Sequence, residues 1–228
     1  MKKYDVFLFD ADNTLFDYDA AEKNALTVML ARYGLPYNEE LHEKYREINA
    51  AVWAAFGRGE MTKIQLQHIR FQRLFAYMGT EDDASAFNDG YLEELGKGSQ
   101  LIDGAYEICK TITERGKTLY IVTNAILKTQ QNRIKHSAIS PFISDSFISE
   151  VVGYEKPHIK FFEHVLAHIP PTKKENILVI GDNLHADIQG GINAGLDTCW
   201  CNFRKETNKT GIIPTYEIIS LGEIAGFV

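Results

Sequence analysis

Four apolar residues, Val6-Phe7-Leu8-Phe9, run without interruption into Asp10-Ala11-Asp12. The run is β-branched and aromatic and too short for a helix. It predicts a strand buried on both faces, as in the middle of a parallel sheet. Residues two apart in an extended chain point the same way, so the Asp10 and Asp12 carboxylates are expected side by side where the strand emerges. In open α/β sheets that carboxyl end is where ligands bind. Two like charges this close are costly unless one is protonated or a cation sits between them. The competing interpretation is an acidic strand-to-loop turn, with Asp12 or Asn13 as a cap or Asx-turn.

The next stretch is helical. Leu26, Met29, Leu30 and Tyr33 follow i, i+3, i+4, i+7 and are stopped by Gly34 and Pro36. Leu41, Tyr45, Ile48, Val52 and Ala55 form a second stripe; Phe71, Leu74, Phe75 and Met78 form a third, ended by Gly79. A weaker helix is expected over 83–95. These four helices can build their own small core. From Leu101 the rhythm becomes βα, with strands expected at 118–122, 145–149, 177–180 and 198–202. Helices are expected at 103–115, 127–136, 159–168 and 185–194, and the tail at 216–219 adds a last strand before a short helix. The expected fold is α/β: a doubly wound parallel sheet from residues 1–16 and 97–228, with an all-α bundle inserted at 17–96. A chain of 228 residues has room for one such core and an insert.

A net charge of −7 argues against nucleic acid or an anionic membrane as the main partner. No apolar run approaches the ~20 residues of a membrane span. Lys2 and Lys3 imitate the start of a signal peptide, but Asp5, Asp10 and Asp12 break the apolar region that should follow. The expectation is a cytoplasmic protein, a monomer or small homo-oligomer. Cys109, Cys199 and Cys201 are too few for a disulfide framework and lack zinc spacing, so buried, inert thiols are expected.

The later strands each end in polar residues. Ile121-Val122 leads into Thr123-Asn124, and Ile177 to Ile180 leads into Gly181-Asp182, with Asp187 five residues on. Glu155-Lys156-Pro157 precedes a helix. In a parallel sheet these groups gather at one edge with Asp10 and Asp12. Four carboxylates cannot share a pocket without a cation, and a hard divalent ion with oxygen ligands, most simply Mg²⁺, fits best. A phosphoryl group needs such an ion, an ammonium and small hydrogen-bonding groups. A carboxylate can attack phosphorus to form an aspartyl-phosphate. A second carboxylic acid can protonate the leaving alkoxide and then deprotonate water; a charged neighbour raises its pKa towards that task.

Asp10-Ala11-Asp12-Asn13-Thr14 matches DxDxT, Thr123 closes a strand, Lys156 precedes a helix, and Gly181-Asp182 through Asp187 matches GDxxxxD. In these motifs and their order the chain resembles the haloacid dehalogenase superfamily of phosphohydrolases, whose helical cap also follows the first strand. The resemblance implies Asp10 as nucleophile and Mg²⁺ ligand. It implies Asp12 as general acid/base, its backbone carbonyl also binding the metal. Thr123 and Asn124 are implied to hold phosphate, Lys156 to stabilise its charge and Asp182 to ligate the metal. Asp187 either binds metal, through water, or orients Lys156.

Asp12 argues against the dehalogenases themselves, Ala11 against transport ATPases, and Thr14 favours hydrolysis over β-phosphoglucomutase-like transfer. Within the superfamily, the first motif and segment 53–66 look most like bacterial pyrimidine 5′-nucleotidases. The expected substrate is therefore a small phosphomonoester, a nucleoside 5′-monophosphate or else a sugar phosphate. Tyr18, Trp53, Phe56, Arg58 and His68 could meet a base or sugar, although Trp53 and Phe56 could equally fill the bundle's core. A phospho-accepting receiver domain also combines Asp, Mg²⁺, Thr and Lys. It lacks a cap and places its acidic pair ahead of a separate phosphoacceptor strand.

Overall fold

A computed structural model describes residues 2–228. The chain divides into two compact units, Met1–Tyr18 with Ser99–Val228, and Asp19–Gly98.

The first unit is built on six parallel strands: β1 (Val6–Phe9), β2 (Thr118–Thr123), β3 (Asp145–Ile148), β4 (Ile177–Gly181), β5 (Asp197–Cys201) and β6 (Tyr216–Ile218). Their spatial order is β3-β2-β1-β4-β5-β6. Every residue of β1 and β4 is buried, which is why both sequences are apolar without alternation. The pleat sorts them all the same. Phe7, Phe9, Leu119, Ile121, Leu178 and Ile180 enter one core layer. Val6, Leu8, Tyr120, Val122, Ile177 and Val179 enter the other. Helix α5 (Ala105–Glu114) and the C-terminal 3-10 turn Leu221–Gly226 cover the first layer, and α8 (Ile159–His168) covers the second. Each fully buried large apolar side chain contributes about 1.5–3 kcal/mol, so the two layers fix the strand order.

Val6 stands opposite both Thr118 and Ile177, so β1 is central. From β1 the chain moves outward through β2 and β3, then returns to build β4, β5 and β6 on the other side. The order therefore reverses at β1 and β4, the position at which open α/β sheets leave a crevice beyond their carboxyl ends. All three cysteines are free and buried, and burial pushes the Cys109 and Cys199 thiols up to about 12. They are buried, as expected.

The second unit holds α1 (Tyr18–Arg32, its first residue belonging to the first unit), α2 (Glu39–Gly57), α3 (Lys63–Met78) and α4 (Ala84–Leu95). Side-chain oxygens of Asn38, Thr62 and Asp83 cap the starts of α2, α3 and α4, and Gly79 ends α3 in the left-handed region at φ 72°. The stripes read from the sequence converge on an aromatic core of Tyr45, Phe71, Phe75, Phe87 and Tyr91.

One expected element takes another form. The single helix over 185–194 is a π-helical turn, Leu184–Gln189, followed by one α-turn, Gly190–Asn193. Asn183 is the cause. Its side chain accepts the N–H groups of His185 and Ala186, and its carbonyl accepts those of Asp187 at 2.9 Å and Ile188 at 3.4 Å. That last bond spans one residue more than an α-helix allows. Helix α6 (Leu127–Lys135) falls within its expected span. The short helix α7 (Ser149–Val152) and the 3-10 turns Ser140–Phe142 and Lys174–Asn176 are too brief to leave a periodic signal.

Candidate active site

The backbone does not stay extended past β1. Asp10 still joins the sheet, its N–H donating to Ile180 O at 2.7 Å. The chain then folds back on itself. Leu15 and Phe16 both donate to the carbonyl of Ala11, and Asn13 donates to Phe16 O at 2.8 Å from a left-handed conformation (φ 57°). Asn tolerates that region better than most residues. The turn brings Phe16 beside Asp12. Each of the two carboxylates also meets its own basic side chain. Asp10 Oδ1 accepts from Lys156 Nζ at 2.7 Å, and Asp12 Oδ1 accepts from the buried guanidinium of Arg133.

Lys156 is 4% exposed. Its ammonium donates to Asp10 Oδ1 at 2.7 Å, Asp187 Oδ1 at 2.6 Å and the Val122 carbonyl at 2.6 Å, so each of its three hydrogens has an acceptor. Burial opposes its charge, but the two carboxylates outweigh that and hold Lys156 above its ordinary pKa. Asn124 fixes the loop that carries it: Oδ1 accepts the Lys156 N–H and Nδ2 donates to the Lys156 carbonyl, both at 2.9 Å. Asn124, expected to hold phosphate, thus has both ends of its amide on the main chain of Lys156. Thr123 is buried at the end of β2 and accepts the N–H of Ala125 at 3.1 Å.

Asp187 is also anchored through both oxygens, Oδ1 to Lys156 and Oδ2 to the Asn183 N–H at 3.1 Å. A Cβ on residue 181 would lie 2.2 Å from that Oδ2, so only glycine fits before Asp182. The Asp182 carbonyl accepts from the Trp200 indole at 2.8 Å. Its N–H donates to Thr14 Oγ1 at 3.1 Å, and the same buried hydroxyl lies 3.5 Å from Asp10 Oδ2. Thr14 therefore ties the end of β1 to the end of β4.

One oxygen from each of Asp10, Asp182 and Asp187 lies within 4.8 Å of the others. Burial, reinforced by the charges of Asp187 and Asp12, pushes Asp10 up to about 7 although Lys156 pulls it down. Burial and the charges of Asp10 and Asp187 push Asp182 up to about 8. Carboxylates this reluctant to ionise together, on hard oxygen donors, are the donor set a small divalent cation neutralises best. The residues fit Mg²⁺.

The other expected residues lie elsewhere. Tyr18 lies in the first unit, its ring 5.9 Å from the Arg133 guanidinium. In the helical unit, Trp53 and Phe56 meet edge to face at 5.7 Å and stay half-buried, outside the aromatic core. The exposed Arg58 pairs with Glu60, and His68 lies 3.3 Å from Ser85 Oγ. Arg133 and Gln130 were not foreseen. A basic residue in a helix ordinarily reads as a solvated one. The available signal was that Thr129, Gln130 and Arg133 share one face of α6, the face that turns out to be buried.

A doubly wound sheet with an inserted helical unit, and acids gathered around an ammonium where the strand order reverses, defines an α/β protein whose polar residues converge at the carboxyl edge of its sheet. The chain belongs to the haloacid dehalogenase-like hydrolases, matching that family over residues 4–195. It is 38% identical to the pyrimidine 5′-nucleotidase PynA of Streptococcus pneumoniae, covering 97% of this chain and 93% of that one. It is 32% identical to the pyrimidine 5′-nucleotidase YjjG of Escherichia coli, covering 97% and 96%. A crystal structure of the HAD-hydrolase YfnB of Bacillus subtilis, bound to magnesium and revealing interdomain movement, superimposes with a TM-score of 0.93 at 40% identity, covering 99% and 98%. Among the described residues no helix is long and apolar enough to cross a membrane.

Proposed function

We propose that this hydrolase is a phosphatase of small phosphomonoesters, foremost nucleoside 5′-monophosphates, acting through an aspartyl-phosphate on Asp10. The observation that carries this reading is the Asp10 carboxylate, gripped by Lys156 at 2.7 Å inside a three-carboxylate cluster. The nucleotide part rests on the two relatives named as pyrimidine 5′-nucleotidases.

An Asp10 oxygen attacks phosphorus as the bond to the leaving oxygen breaks, and Asp12 delivers its proton to that oxygen. Asp12, now a carboxylate, takes a proton from water. The water oxygen attacks phosphorus, the bond to Asp10 breaks, and inorganic phosphate leaves. The Asp12 side chain, 27% exposed, is open enough for leaving group and water to reach it. Lys156 holds the Asp10 carboxylate in place for the attack, and Asp187 holds Lys156. Thr123 is the candidate donor to the transferred phosphoryl group, and Asn124 acts by fixing the Lys156 loop. Asp10, Asp182 and the Asp12 carbonyl would hold Mg²⁺, which when bound offsets charge on the phosphoryl oxygens. The half-buried Trp53–Phe56 pair is the candidate platform for a base, with Tyr18 and Arg58 as weaker candidates.

Phosphate release measured across nucleotides, sugar phosphates and coenzyme phosphates tests this reading. Pyrimidine nucleoside monophosphates are expected to lead by about tenfold or more in kcat/KM. No release from any of them would overturn it.

The carboxylate pKa values give a second expectation. Without metal, Asp10 and Asp182 bind protons more tightly in the folded chain than in the unfolded one, where an aspartate titrates near 4. Their contribution to stability is complete below about pH 4 and is lost as pH rises towards 8. Mg²⁺ takes the place of those protons. Melting temperatures in EDTA should therefore fall between pH 5.5 and 8, and the increment on adding millimolar Mg²⁺ should be larger at pH 8 than at pH 5.5. An increment that shrinks with rising pH would contradict a carboxylate metal site.

A further inference from the structure

We propose that Arg133 is a positioning residue that aims the Asp12 carboxyl group at the leaving oxygen. The inference rests on the phosphatase reading and adds a residue to it. The buried residues of helix α6 are Thr129, Gln130 and Arg133, all polar. Burying such residues costs free energy unless each group is partnered, and a guanidinium 1% exposed needs an anion beside it. Arg133 Nη1 donates to Asp12 Oδ1 and to Gln130 Oε1, the latter at 3.1 Å. The guanidinium carbon also lies over the Phe16 ring, 5.0 Å from its centroid, and over the Tyr18 ring at 5.9 Å. Stacking of this kind suits Arg far better than Lys, because the planar cation can lie on a ring while its edge donates.

The two members of the pair differ in exposure. Arg133 is sealed, whereas the Asp12 side chain is 27% exposed. The cation thus acts as a fixed anchor and the carboxylate as the end that reaches outward. Asp12 sits in a turn, just past the end of β1 and next to the left-handed Asn13, where no helix or strand ladder limits its rotamers. The turn fixes its backbone through Phe16, and Arg133 fixes its side chain. Lys156 cannot do this, since its three hydrogens are committed to Asp10, Asp187 and Val122. A general acid works only while held within hydrogen-bond reach of the atom it protonates.

The test uses esters that need different amounts of acid help. Mg²⁺-dependent kcat/KM is measured for p-nitrophenyl, phenyl and benzyl phosphate, three aromatic esters whose leaving oxygens become steadily more basic. R133M should leave p-nitrophenyl phosphate within about threefold of the parent and lower benzyl phosphate by about 10- to 100-fold. R133K, which keeps a cation but not the stacked plane, should fall between. Should R133M fail to fold, Q130M removes one acceptor that orients Arg133 and should give the same trend at smaller size. An equal loss on all three esters, or no loss on any, overturns the positioning role. A parent enzyme inactive on all three overturns the phosphatase reading instead.

Discussion

Asp10→Asn is expected to lower phosphate release by about 10⁴-fold or more at every pH, because it removes the atom that attacks phosphorus. The fold should survive. The amide introduced by this substitution keeps an acceptor for Lys156 and removes a buried charge whose desolvation, with the charges of Asp187 and Asp12, pushes the Asp10 pKa up to about 7. The melting temperature of metal-free D10N should accordingly match or exceed that of the parent, as when a carboxylate kept for chemistry is neutralised. Calorimetry beside the activity assay separates the two effects. A D10N protein that has lost its activity and also melts well below the parent would mean that Asp10 is needed for folding, and its inactivity would say nothing of nucleophilic attack.

Lys156→Met should have the opposite balance. The ammonium is 4% exposed and is shared by two carboxylates and a carbonyl. Removing one partner of a buried ion pair typically costs about 3–5 kcal/mol, because the charge left behind stays desolvated. Here two carboxylates are left behind, so metal-free K156M should unfold at markedly lower denaturant, and activity should fall with it by about 10²-fold or more. Stability should recover in part at low pH, where Asp10, already pushed up to about 7, can take up a proton in place of the lost cation. A variant as stable as the parent at pH 8 would mean that Lys156 does not hold this cluster together.

These expectations depend on contacts that the sequence reveals unevenly. The strands were legible because β1 and β4 are apolar throughout, a pattern that only a twice-covered strand can accommodate. Asp10, Thr123, Lys156 and Asp182 could be picked out because each follows or ends a strand or precedes a helix, and Asp187 by its spacing of five residues from Asp182; parallel strands bring such ends to one edge. The partners they choose there were not legible. Nothing local says that Asn124 turns its amide to the main chain of Lys156, or that Asp12 pairs with a helix residue 121 positions away. Periodicity likewise records which face of α6 repeats, not that this face is buried and polar. The wider turn at 184–189 escaped because one displaced hydrogen bond from Asn183 leaves no mark on an apolar pattern. What was missed is long-range polar pairing, which is chosen after the layers have formed.

The most direct measurement is to quench the enzyme during turnover of a ³²P-labelled monoester and find where the label sits. The account predicts acid-stable, hydroxylamine-labile label on the peptide that contains Asp10, and none on D10N treated in the same way. Rapid turnover with no label on the protein, or label on any other residue, would contradict it.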